Sequence, residues 1–195
     1  MQAIIIDVRD NSGGNVSALR LASYFGAGAE PSVTLLSRPY LQTLGRPLSK
    51  KDLLEAPRIS GVYTTAGVFA AMEQHGGRAA FWSEAVERPF RAPVFVLIGP
   101  ETGSAAEGFA WQMRLYTRAR LIGQRTAGAL LSSESFDLGD GWSVTIPVHG
   151  LWGPDGEDYG DRAVEPHEQV APTRADLCAG RDPVLEVALR QANAH

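Results

Sequence analysis

The apolar run Val94-Phe95-Val96-Leu97-Ile98-Gly99 leads straight into Pro100-Glu101-Thr102-Gly103-Ser104-Ala105-Ala106-Glu107-Gly108. No other stretch constrains the fold as tightly. It calls for a buried strand, a sharp turn and a helix that opens at Ser104. A serine at such a turn can point its hydroxyl out of the fold beside free backbone N–H groups, the geometry a nucleophilic hydrolase needs. The same residues, Ser104-Ala105-Ala106-Glu107, also spell a capping box, with which ordinary helices satisfy their first N–H groups. On these residues alone both readings stand.

A second strand–loop–helix unit opens the chain. Residues 3–8 form an apolar run expected to be a buried, parallel strand. Arg9-Asp10-Asn11-Ser12-Gly13-Gly14 is a loop whose two glycines free the backbone. Asn15 is placed to cap a helix reaching about Phe25, with Val16, Leu19 and Tyr24 buried. If its strand lies beside Val94–Ile98, the Gly13 and Gly14 N–H groups converge on Ser104. With the Ala105 N–H they would form an oxyanion hole.

Further strands are expected over 32–37, 120–123, 133–138 and 142–148, the last two joined by the turn Gly139-Asp140-Gly141. Trp142 and Trp152 are expected to pack on this hairpin, with lining of a substrate cleft as the alternative. A helix over 104–117 would bury Ala106, Phe109, Ala110 and Met113. Another starts at Asp182-Pro183, with Asp as cap and Pro in the first turn. Strands and helices interleave, so the fold class is α/β. At 195 residues one domain is expected over 1–195. Residues 38–90, with helical candidates at 49–55 and 64–75, are expected to be an inserted lid or contact surface.

Composition narrows the function classes. The net charge is −4 and no basic stripe is present, which argues against nucleic acid as a partner. The single cysteine, Cys178, excludes an internal disulfide and any multi-cysteine metal site. No apolar stretch has the length of a membrane span. The chain opens abruptly, with Met1 just ahead of the first strand, so it is expected to be the C-terminal part of a longer protein. The lack of a signal peptide then says nothing about compartment.

Ile5-Ile6-Asp7-Val8-Arg9-Asp10-Asn11-Ser12-Gly13-Gly14 closely resembles the Asp-x-Arg-x-Asn-x-Gly-Gly signature of the tail-specific proteases. That superfamily includes the C-terminal processing proteases, the tricorn core protease and the interphotoreceptor retinoid-binding protein modules. Thr102–Glu107 resembles its nucleophile segment, and Ile122-Gly123-Gln124-Arg125-Thr126-Ala127-Gly128 its next motif. Arg162-Ala163-Val164-Glu165-Pro166-His167 resembles its late Gly-[Ile/Val]-x-Pro-Asp segment. The resemblance implies a ClpP/crotonase-like spiral of ββα units and a serine peptidase acting on peptides or proteins, including unstructured C-terminal tails. It implies Ser104 as nucleophile, with no cofactor and no metal. Homo-oligomers and a periplasmic or extracellular location are implied by the resemblance alone. Asp7, Arg9 and Asn11 would pin the glycine loop through hydrogen bonds.

The branch follows from what is missing. Processing proteases of the superfamily pair serine with a lysine, and Ala129 stands at that position here. Arg125 cannot replace it as a base, because guanidinium stays protonated. Arg125 could instead hold a substrate carboxylate, or anchor a loop. The chain therefore looks like the tricorn branch, which uses serine, histidine and glutamate. Glu165 occupies the glutamate position; on its own residue type it could equally be a solvated carboxylate. The family's histidine lies upstream of the first motif. Among His75, His149, His167 and His195 none is assigned as the base. A degenerate retinoid-binding-like module and a crotonase-like acyl-CoA enzyme are the rival readings. The first would show a large apolar cavity away from Ser104, the second a basic CoA groove.

Overall fold

The computed structural model describes residues 3–26 and 28–194. Val94–Ile98 is the central element. Its five apolar residues are all buried, and in sequence order they serve opposite faces of one sheet. Taking this strand as β5, the four-stranded parallel sheet has the order β1(Ile4–Asp7), β5, β6(Arg120–Gly123), β9(Glu168–Gln169). The register puts Ile6 opposite Val96 and Val96 opposite Leu121.

Val94, Val96 and Ile98 join the larger core, to which α1(Ser17–Ser23) contributes Leu19 and α5(Ala105–Tyr116) contributes Phe109, Ala110 and Met113. Phe95 and Leu97 face the other way. They pack with Ile122 against Val184, Val187 and Ala188 of α7(Pro183–Asn193). The parallel sheet is thus covered on both faces, as such sheets require.

The second sheet is mixed and five-stranded, in the order β3(Arg58–Ile59), β4(Arg78–Trp82), β2(Pro31–Ser37), β8(Trp142–Trp152), β7(Ser132–Gly139). Antiparallel pairs join β2 to β4 and to β8, and β7 to β8; β3 runs parallel to β4. The remaining helices are α2(Arg38–Leu44), α3(Lys50–Leu54), α4(Thr65–Gln74) and α6(Arg174–Cys178). Among the described residues no helix is long and apolar enough to cross a membrane.

The α/β class holds. The helix over residues 104–117 lies where its apolar spacing puts it, with all four expected residues buried. Three burial expectations need correction. The first strand is half-buried, because β1 is the edge strand of its sheet and has a neighbour on one side only. Tyr24 is exposed and lies under the Arg20 guanidinium instead of in the core. Trp142 is 74% exposed beside the turn of the β7–β8 hairpin, where the residues on both faces are exposed, while Trp152 at the far end of β8 is half-buried.

Candidate active site

Ser104 is the N-cap of α5 and sits half-buried with φ 48° and ψ −120°. Positive φ is rare for a residue with a Cβ and carries strain of about 1–3 kcal/mol, which persists only where the surroundings enforce it. The surroundings do. Thr102 Oγ1 donates to Val8 O at 2.8 Å and accepts from Gly99 N–H at 3.0 Å. Gly103 N–H donates to Asn11 O at 3.0 Å, and Ala127 N–H to Thr102 O at 3.0 Å. The turn before Ser104 is therefore stitched to the glycine loop on one side and to the 124–129 loop on the other.

Glu107 completes the frame. Fully buried one turn into α5, its carboxylate accepts from Ser104 N–H at 3.0 Å, Thr126 Oγ1 at 2.5 Å, Gly128 N–H at 2.7 Å and Ala129 N–H at 2.8 Å. The sequence marks it as a capping residue. Its three further donors come from a loop about twenty residues away, which no local pattern announces.

The glycine loop meets Ser104 directly. A Cβ on Gly13 would stand 2.7 Å from Ser104 Cβ, and Gly13 has φ 134°, so neither the space nor the backbone admits a side chain. Asn11 Oδ1 accepts the Gly13 N–H at 2.9 Å. The Gly14 and Ala105 N–H groups have no hydrogen-bond partner among the described residues. Arg9 donates to Asp7 and, through both terminal nitrogens, to Asp182 at 2.8 and 2.7 Å. These bonds hold the carboxyls of Asp7 and Asp182 below the usual carboxylate range.

Ser104 and Ala105 open into a cavity of about 350 Å³ between α1, α4, α5 and strands β2, β7 and β8, with Leu19, Leu35, Val68, Leu130 and Leu151 in its walls. Glu165 and Arg125 are absent from that wall. They pair with each other instead, Arg125 Nε lying 3.8 Å from Glu165 Oε1 at the surface. Arg114 donates to the Glu165 carbonyl at 2.8 Å, which fixes the backbone there.

Among the described residues no histidine hydrogen-bonds to Ser104. His75 caps the C-terminus of α4. His167 accepts the Leu121 N–H at 3.0 Å through Nδ1. His149 lies on β8 outside the cavity wall; its Nδ1 is 2.9 Å from the Oγ of Ser132, which does line the cavity. Burial holds the imidazoles of both His149 and His167 below their ordinary range; Glu134 opposes this at His149, while Arg114 and Arg120 add to it at His167. His195 lies outside the described residues.

A family model, peptidase family S41, matches residues 1–170. The chain belongs to that family. It is 32% identical over 107 residues to a tricorn protease homolog of Streptomyces coelicolor, a match covering 52% of this chain and 9% of that protein. In fold it is similar to mature CPAF bound to lactacystin (TM-score 0.65, 18% identity, 100% of this chain and 45% of that one). The tricorn protease matches with TM-score 0.60 and 20% identity over 97% of this chain and 15% of its own. The photosystem II D1 C-terminal processing protease matches with TM-score 0.55 and 21% identity over 88% of this chain and 35% of its own. These S41 likenesses carry the fold, and this chain spans less than half of each of these relatives.

Proposed function

We propose that this S41 chain is the nucleophile-bearing part of a serine peptidase, with acyl transfer through Ser104. The observation that carries the reading is the meeting of the Gly13-Gly14 loop with a strained serine at a helix N-terminus, flanked by two unpaired amides. Gly14 and Ala105 would donate to the oxyanion; Gly13 would supply close approach, its own amide being held by Asn11. The helix N-terminus favours the developing negative charge.

In this reading Ser104 Oγ attacks the peptide carbonyl while a base takes its proton. The tetrahedral oxyanion forms between the two amides. The amine then leaves with the proton, and water releases the acyl group. The base is a histidine from outside these 195 residues, and Glu165 is the acid that orients it and stabilises its cation. The Arg125–Glu165 pair is long and solvent-exposed, so an imidazole can displace it at small cost. Substrates are peptides, with unstructured C-terminal tails as the proposed class, in line with the name of the D1-processing relative. A spiral of ββα units belongs to the same reading.

The test is peptide hydrolysis by the full-length protein that contains this chain. Ser104→Ala should lower kcat by at least about 10³-fold with the fold intact. Hydrolysis that survives this substitution would refute the assignment.

A further inference from the structure

β2 pairs with β8 only over His149–Trp152, so from Trp142 to Val148 the β8 strand has β7 as its one partner among the described residues. This part of the hairpin is a two-stranded ribbon with two distinct faces. The pairs Glu134–Ile146 and Phe136–Val144 put all four side chains on one face, and alternation along β8 adds Trp142 to it. Ser135, Asp137, Ser143 and Thr145 form the other face, where Ser135 Oγ and Thr145 Oγ1 lie 2.8 Å apart. The alternation is that of a strand with a core on one side, yet no core is there. The apolar residues of the first face are exposed, from 36% at Val144 to 74% at Trp142. A contiguous exposed apolar face of this kind marks an interaction surface.

Two further observations say what covers it. The first is charge. Residues 132–148 carry Glu134, Asp137 and Asp140 and no lysine or arginine. None of the three acids is in an ion pair with a base among the described residues; Asp137 only accepts the Gly139 N–H. A second copy laid on this ribbon would set the same acids against one another, which is unfavourable. A basic partner gains from them instead. The second is position. β7 starts in the wall of the cavity that holds Ser104, where Ser132 and Ser133 line it. β7 is also the edge strand of the mixed sheet, so its outer backbone groups are free to add a strand.

We propose that the β7–β8 hairpin is a docking arm for the peptide substrate, and that it selects a segment alternating apolar residues with lysine or arginine. Antiparallel addition to β7 brings the peptide in from the turn towards the cavity, so the docked residues precede the bond that Ser104 attacks. From Ser133 to Leu138 the strand spans roughly 17 Å, room for about five residues of an extended chain. The apolar residues meet Phe136, Trp142, Val144 and Ile146, and the cations meet the three acids. This inference rests on the peptidase reading.

The experiment measures binding of two short labelled peptides to the full-length protein carrying Ser104→Ala, followed by fluorescence anisotropy. One peptide alternates leucine with lysine, the other leucine with glutamate. The lysine peptide should bind at least about 5-fold more tightly at low salt, with the gap closing as salt is raised. Glu134→Lys, Asp137→Lys and Asp140→Lys combined should reverse the preference. The same reversal at exposed Glu73, Glu87 and Glu157, which gives the same net charge, should leave it in place. Trp142→Ser should weaken the lysine peptide, with thermal melting showing the fold unchanged. Equal binding of the two peptides overturns the inference. So does a preference that survives reversal of the hairpin acids, or one lost equally in the control variant. Failure of both peptides to bind, because a second copy or another part of the polypeptide covers the hairpin, overturns it too. Binding needs no nucleophile or base. A protein that prefers the lysine peptide through its hairpin yet hydrolyses no peptide with Ser104 restored refutes the peptidase reading alone. One that hydrolyses peptides without this preference refutes the present inference alone.

Discussion

Glu107 is the residue on which the site's geometry depends most. Its carboxylate satisfies four donors from two separate segments. Glu107→Ala would leave buried N–H groups unpaired, so urea unfolding should show a loss of about 3–5 kcal/mol, with Glu107→Gln costing less. A loss under about 1 kcal/mol would mean that the 126–129 loop finds other partners. Two histidines set the stability in mild acid. Since the folded imidazoles of His149 and His167 are held below their ordinary value of 6.5, the unfolded chain takes up protons first as pH falls. Stability is therefore full above about pH 6.5 and declines below it, levelling off once the folded imidazoles protonate too. Replacing either histidine by glutamine should flatten the pH 7 to 5 slope of the unfolding free energy; an unchanged slope would contradict the burial argument. The lowered carboxyls of Asp7 and Asp182, both held by Arg9, add their own loss only at more acid pH, below about 4. At this scale Ser104 was legible in the sequence, because strand, glycine and helix start adjoin it. The carboxylate cage of Glu107 was not, because three of its four donors come from a loop about twenty residues away.

Elements with their own punctuation were the readable ones. α7 opens on Asp182, which accepts the Leu185 N–H at 3.0 Å, with Pro183 in its first turn. Asp182 also receives the Arg9 fork, so Asp182→Ala should remove a cap and a half-exposed pair together, about 1–2 kcal/mol by denaturant titration. An effect near zero would show that α7 is held by Val184 and Val187 alone. β3 and β9 have two residues each and exist only through parallel pairing, so no local pattern marks them. α2 follows β2 with no loop between, capped by Ser37 and carrying Pro39 in its first turn; read in one dimension, that proline looks like a strand-ending break. The β7–β8 hairpin alternates as expected, with Phe136 opposite Val144 and Glu134 opposite Ile146. Its apolar face is exposed, however, so Trp142→Ser should change the unfolding free energy by no more than about 0.5 kcal/mol. A larger loss would mean that the indole packs against the body of the protein.

For the molecule as a whole, the cavity lies at the seam between the parallel sheet, with its helices α1 and α5, and the mixed sheet that supplies β2, β7 and β8. The parallel sheet carries the strand-end motifs and was largely visible in the sequence. The mixed sheet draws β4 from residues 78–82, inside the 38–90 stretch expected to be a lid or contact surface, and its order depends on long-range pairing that composition does not encode. The site shows the same division. The serine and glycine motifs come together, whereas Glu165 lies at the surface against Arg125, and among the described residues the cavity wall holds no histidine. The central claim is a nucleophile with a formed oxyanion hole and a base supplied from elsewhere. A fluorophosphonate probe, with the modified residue mapped by mass spectrometry, tests it most directly. The account predicts slow labelling of Ser104 in the 195-residue chain and fast labelling of the same serine in the full-length protein. Rapid, stoichiometric labelling of the 195-residue chain would place the base within it, and labelling of any serine other than Ser104 would contradict the nucleophile itself.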